Sequence, residues 1–351
     1  MPEHKNIKEF GNRLRSARKM AGLSMDDLAN NAGGIVTKQA ISKYEKGMMK
    51  PSSDVLIRLA SALGVKPEYF YRQSEIEMAG MQFRKKSKLS SKIIESLKQR
   101  TIDFLERYIE LETILGKHEI FQNPLTGIAI NNLVDVEKIA LKLRDEWKLG
   151  LAPITNLLEK LEENGIKIFE VRNVNNFDGL SASVGDLHII VINMDLPADR
   201  IRFSTAHELA HILCKFPGDS KKEKYCHAFA GAFLLPKDIL ERELMKKREQ
   251  ITIWELNELK QLYGISIQAI IKRANMLGIV SDFFYRNFQI MLNKKGWKKK
   301  EPVEYAGREE AVRFKHLLHY AVSEEIITLS RGAELANISL SDFKEEVRAA
   351  V

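Results

Sequence analysis

The chain has 351 residues, 44% of them hydrophobic and 29% charged, enough for two or three compact units with cores of their own. No apolar run approaches the ~20 residues that cross a bilayer. The opening Met1–Asn6 is polar, unlike a secretory signal, and the only two cysteines, Cys214 and Cys226, argue against a disulfide-built fold and for a reducing cytoplasm. The net charge of +8 is uneven: residues 1–73 hold 13 Lys/Arg against 7 Asp/Glu, the electrostatic footprint of a nucleic-acid binder.

Residues 7–73 read as four or five short helices. Ile7, Phe10, Leu14 and Ala17 recur at helical spacing up to Ala21-Gly22. Ser24 is an N-cap, with Asp26 and Asp27 in the first turn of a helix from Met25 to Asn30. After Gly33-Gly34, Thr37 caps a third helix from Lys38 to Lys46, closed by Gly47. Pro51-Ser52-Ser53 opens a fourth with the apolar face Val55, Leu56, Leu59 and Leu63. Two short helices joined by a turn within such a bundle can offer one helix to the DNA major groove.

The run Leu14-Arg15…Gly22-Leu23-Ser24…Leu28-Ala29…Ala40-Ile41-Ser42-Lys43-Tyr44-Glu45-Lys46-Gly47…Pro51…Leu59-Ala60…Leu63-Gly64-Val65 resembles the Cro/C1-type, or XRE-family, helix-turn-helix domain. Its turn, Asn31 to Val36, is longer than that family's usual connection. The resemblance puts Thr37, Lys38, Gln39, Ser42, Lys43 and Lys46 at the start and outer face of the recognition helix, as candidate DNA contacts. Gln39 suits an adenine edge, and Lys38, Lys43 and Lys46 suit guanine or phosphate. Taken singly, each of these is read equally well as a solvated surface residue. Ala40, Ile41 and Tyr44 face the core in this reading.

Residues 74–129 read as a charged connector, with a basic run at Arg84–Lys88 and one long helix from Leu89 to Leu115. A helix packing one stripe on the body of the protein is preferred to a dimerising coiled coil, because clean heptads are not sustained; a homodimer stays an open alternative. From Val134 the pattern is mixed. Val136–Trp147 and Ile154–Glu163 are amphipathic helices, and strand material follows at Ile166–Val171, Asp178–Ala182 and His188–Asn193. A helix starting near Arg200 then carries His207-Glu208-Leu209-Ala210-His211.

That pentapeptide puts two imidazoles four residues apart on one helix face, where they can grip one zinc ion, with Glu208 beside them to take a proton from water. A catalytic site needs a third protein ligand, and Glu223, Cys226 and His227 follow on a small-residue helix ending at Pro236. Glu223 and His227 share a face. The cysteines are read as small buried residues.

Phe203-Ser-Thr-Ala-His-Glu-Leu-Ala-His-Ile-Leu213, with Glu223…Cys226-His227…Phe229-Ala230…Leu234-Leu235-Pro236, resembles the ImmA/IrrE family of zinc metallopeptidases. Leu143-Arg144…Trp147, Asp178-Gly-Leu-Ser181 and Tyr263-Gly-Ile-Ser266 extend the match over most of residues 130–285. The resemblance implies Glu223 as third ligand, with His227 the rival, and amide hydrolysis with Glu208 as the proton carrier. Tyr225 and His227 are candidate oxyanion donors. Residues 286–351 read as a C-terminal helical module, with a basic turn around Trp297.

The expected architecture is mainly α with a small β-sheet (α+β). It comprises a helix-turn-helix domain over 1–73, a connector over 74–129, a zincin-like peptidase domain over 130–285 and a module over 286–351. The implied function is a cytoplasmic DNA-binding regulator with an attached zinc endopeptidase. Its partners would be operator-like double-stranded DNA and a protein substrate, a repressor or toxin–antitoxin partner, with no membrane partner. The alternative is a non-proteolytic regulator or antitoxin with a structural or inactive metal site.

Overall fold

The structure, a computed structural model, describes residues 2–72, 82–83, 89–216, 218 and 221–349. The basic run Arg84–Lys88 lies outside the described residues. The mainly α architecture with a small sheet is borne out. The chain forms two compact units, one of Met1–Gly80, Lys85–His118 and Ala321–Val351, the other of Met81–Arg84 and Glu119–Tyr320. Residues 286–351 are therefore divided between them. Among the described residues no helix is long and apolar enough to cross a membrane.

In the first unit α1 (Pro2–Met20), α2 (Met25–Asn31), α3 (Lys38–Glu45) and α4 (Ser53–Leu63) form the N-terminal bundle. Phe10, Leu14 and Ala17 lie on one stripe of α1 and bury against Leu28, Ile41, Tyr44, Leu59 and Phe70. Gly11 allows α1 to cross the end of α3, since a Cβ there would sit 2.5 Å from the Tyr44 carbonyl oxygen. The starts of α2 and α3 are written locally. Ser24 and Asp27 make a reciprocal capping box, and the Ala40 amide donates to the Thr37 hydroxyl.

The long helix α5 (Ser91–Leu115) buries Leu97, Ile102, Leu105, Tyr108 and Leu111 within this same unit. It packs on α1 and on the helix Leu329–Ala336 near the C-terminus. Arg13 pairs with Glu106 at 2.6 Å, Arg107 donates to the Leu335 carbonyl at 2.5 Å, and Arg331 pairs with Glu110. The C-terminal helices thus return in space to the N-terminal bundle's own unit.

The second unit is built on a four-stranded sheet of order β1-β3-β4-β2. Its strands are β1 (Gln82–Phe83), β2 (Lys167–Val171), β3 (Gly179–Val184) and β4 (Leu187–Asn193). A hairpin through Gly185-Asp186 pairs β3 antiparallel to β4, whereas β2 runs parallel to β4 with Ile168 opposite Ile190. The helices are α6 (Leu133–Glu146), α7 (Leu157–Glu163), α8 (Ala198–Leu213), α9 (Lys222–Leu234), α10 (Lys237–Leu244), α11 (Ile253–Tyr263), α12 (Ile267–Met276) and α13 (Asp282–Lys294). Helix α8 is buried almost all round, between β3 and β4 on one side and α9 on another. The α11–α12 pair contributes Ile265, Ile267, Ile270 and Ile271 to the core.

Buried charges tie this unit together. Arg202 of α8 pairs with Glu309 and donates to the carbonyls of Ile154 (2.7 Å) and Tyr263 (3.3 Å). Glu309 also accepts from the first amides of α7, those of Leu157 and Leu158, at 2.7 and 3.2 Å. Glu301 does the same at the start of α12 and shares the Lys260 ammonium with Asp199, each at 2.8 Å. Arg144 donates to the carbonyls of Gly150, Ala152 and Phe233, and burial lowers its guanidinium to about 10.

Candidate metal centre and nucleic-acid interface

Helix α8 carries His207 and His211 on the face turned toward α9, and both are buried, at 5% and 4% exposure. Glu223 stands in the first turn of α9 and is exposed. His207 Nε2 lies 3.2 Å from Glu223 Oε2, and His211 Nε2 lies 3.2 Å from Glu223 Oε1. Candidate ligand atoms of all three residues fall within 4.8 Å of one another, a convergence found among the described residues. Two ligand atoms each about 2.0–2.1 Å from a tetrahedral zinc stand about 3.3 Å apart, so both N–O separations have the length of a polyhedron edge. The donor set fits zinc: two imidazoles and one carboxylate, with the exposed carboxylate on the side open to solvent.

The His211 imidazole is held from behind. Cys226 Sγ lies 3.4 Å from His211 Nδ1, which leaves Nε2 as the lone-pair donor once Nδ1–H points at the sulfur. Burial, together with Glu223 and Cys214 nearby, pushes the Cys226 thiol up and keeps it neutral. The His207 and His211 rings are edge to face at 4.9 Å. His227, one turn along α9 from Glu223, lies outside the convergent triplet; its ring is 4.4 Å from that of His207 and stacks on Phe203 at 5.9 Å.

Glu208, next to His207 in sequence, is 1% exposed and faces β3. Its Oε2 accepts a hydrogen bond of 3.0 Å from the Ser181 hydroxyl. Gly179, two residues earlier, lies beside the carboxylate's stem and lets β3 approach β4 closely, since a Cβ there would stand 3.0 Å from Ile192 Cδ1 and 3.1 Å from the Val191 carbonyl oxygen. In the sequence Ser181 and Gly179 stand out only within a family pattern; the strand register gives them physical roles. The Tyr225 hydroxyl donates to the Asn131 carbonyl at 2.9 Å, which commits its proton away from the cluster.

In the first unit, Gln39, Lys43 and Lys46 are exposed and Ser42 is half-buried, while Ile41 and Tyr44 are buried. Thr37 is exposed but its hydroxyl accepts the α3 capping bond, and Lys38 pairs with Asp26 at 2.6 Å. Gly33 and Gly34, at φ +80° and +70°, make the long turn between α2 and α3. Arg18 holds Glu45 at 2.5 and 2.8 Å, fixing α3 against α1.

A short helical reader and a helix-borne two-histidine, one-glutamate cluster define a two-part chain, a DNA-binding type of fold joined to a metallopeptidase type of site. Comparison with known proteins finds a match for each part. Residues 14–70 match the family model described as Helix-turn-helix, and residues 161–275 match the peptidase family model described as IrrE N-terminal-like domain. Two curated relatives are both described as an uncharacterized HTH-type transcriptional regulator, one from Mycobacterium tuberculosis strain CDC 1551 / Oshkosh and one from strain ATCC 25618 / H37Rv. Each is 41% identical over 66 residues, which is 19% of this chain. The chain spans about half the length of these relatives, 46%. Both resemblances read from the sequence, XRE-type and ImmA/IrrE-like, are borne out by these matches.

Proposed function

We propose that this protein is a cytoplasmic DNA-binding transcriptional regulator that carries its own zinc-dependent endopeptidase, narrow in substrate range and directed at a repressor or toxin–antitoxin partner. The observation that carries the reading is the convergence of His207, His211 and Glu223, with Glu208 alongside, inside a segment that matches a peptidase family. His207, His211 and Glu223 would hold the ion. Zinc held there would supply a Lewis acid for the scissile carbonyl and an activated water. Glu208, oriented by Ser181, takes the proton and delivers it to the leaving amine. His227, set against the His207 ring, is the better-placed oxyanion donor, because the Tyr225 proton is engaged by Asn131. Gln39, Lys43 and Lys46 present the DNA-reading surface.

The test has two arms. Zinc is measured in the purified full chain, which is then incubated with the product of the adjacent gene in wild-type and Glu208→Gln forms. Zinc in both with cleavage only by wild type supports the reading; zinc without cleavage by either favours the non-proteolytic regulator. In the second arm Lys43→Glu abolishes a salt-dependent gel shift on the chain's own upstream DNA.

A further inference from the structure

The basic turn Lys294–Lys300 is left unused by the function so far. It closes one wall of a cleft of about 690 Å³ in the second unit, a volume suited to a few side chains of a ligand. The opposite wall is the N-terminal half of α8, contributed by Arg200 and Phe203, and Tyr285 and Trp297 supply further aromatic lining.

One face of α8 links the lining of this cleft to the metal cluster. Arg200, Phe203, His207 and His211 follow one another at spacings of three and four along α8, so they form a single stripe. Phe203 lines the cleft and also stacks on His227, whose ring meets that of His207. A peptide with its scissile bond at the cluster would therefore run its flanking side chains past Phe203 into this space.

The charge of the cleft is not balanced. Its acids are engaged among the described residues: Asp199 and Glu301 with the buried Lys260 at 2.8 Å each, and Glu304 with Lys300 at 3.4 Å. Arg200 is shared with Asp178, outside the cleft, at 3.0 Å. Lys298 and Lys299 remain, both exposed at the rim, and Lys295 adds its ammonium 4.5 Å over the Trp297 ring. We propose that the cleft is a specificity subsite for an acidic side chain beside an apolar one in the segment flanking the scissile bond. The aromatic lining takes the apolar residue and the Lys298–Lys299 rim takes the carboxylate. The inference rests on the peptidase reading and adds the class of substrate to it.

The experiment uses the zinc-loaded full chain as Glu208→Gln, so that peptides bind without turnover. Fluorescein-labelled octapeptides of alternating Glu and Phe, or Lys and Phe, are followed by anisotropy at about 50 mM salt, where surface charges are weakly screened. The acidic peptide is expected to bind roughly tenfold more tightly than its lysine counterpart, and Lys298→Glu with Lys299→Glu should erase that preference. The exposed Lys298→Ala, Lys299→Ala pair, which carries no new charge, should erase about half of it on a logarithmic scale. Equal binding of the two peptides, or a preference unmoved by both variant pairs, overturns the proposal. Loss of the duplex DNA gel shift in the charge-reversed variant, with peptide binding intact, overturns it in favour of nucleic acid. The two readings fail separately. Glu208-dependent cleavage that ignores the lysine variants removes the subsite and keeps the peptidase, whereas Lys298/Lys299-dependent binding without cleavage of any partner does the reverse.

Discussion

Replacing Arg202 by Met asks how the metal-bearing helix is anchored. The Arg202 side chain is fully buried on α8, paired with Glu309 and hydrogen-bonded to the Ile154 and Tyr263 carbonyls. Methionine keeps much of the volume, so the main cost is not a cavity but a buried carboxylate without its cation. Removing one member of a buried pair costs about 3–5 kcal/mol. The Leu157 and Leu158 amides still solvate Glu309, which places the expected loss at the low end, near ~3 kcal/mol. Urea unfolding followed by tryptophan fluorescence measures this directly, because Trp147, Trp254 and Trp297 are the chain's three tryptophans and all belong to the second unit.

A pH arm checks the cause. Burial raises the Glu309 carboxyl and Arg202 opposes that rise. Without Arg202 the folded carboxyl holds its proton to higher pH than the unfolded one. The variant should therefore regain stability relative to wild type as pH is lowered toward the ordinary carboxylate range. Adding Glu309→Gln should recover most of the loss at pH 7. A loss below ~1 kcal/mol, or a double variant no more stable than Arg202→Met, would refute the reasoning.

Burial likewise pushes Glu162 up to about 7 against the bonds it accepts from the Arg313 and Val312 amides. The unfolded carboxyl releases its proton near pH 4.5 and the folded one near 7, so stability declines between those values, by up to ~3 kcal/mol, and levels off above. Glu162→Gln, which keeps an acceptor oxygen, should flatten that slope in the tryptophan unfolding midpoint; parallel slopes for variant and wild type would count against it. Ser181→Ala frees one oxygen of Glu208, and cleavage should fall about tenfold through kcat, with zinc content and KM held and recovery in Ser181→Thr. A drop in zinc content instead would make Ser181 a folding residue.

Much of this protein is written in short-range signals. The i, i+4 spacing put His207 and His211 on one face of a helix, and the capping residues Ser24 and Thr37 marked the starts of α2 and α3, because such interactions close within one turn. Neither periodicity nor caps could place Glu223 over both Nε2 atoms, since the two helices meet through packing across a gap in the sequence. The same holds for Ser181 beneath Glu208, fixed by strand register, and for Cys226 behind His211. Arg202 and Glu309, 107 residues apart, are linked by no local spacing, and only the fold brings them together as a buried pair. The basic turn at Trp297 stands out in the sequence only by its charge, and the fold makes it a wall of the cleft that Phe203 also lines. Residue type and local spacing decided which chemistry the chain can perform. Long-range packing decided which groups share a site, because a contact between residues distant in the chain depends on the whole core that brings them together.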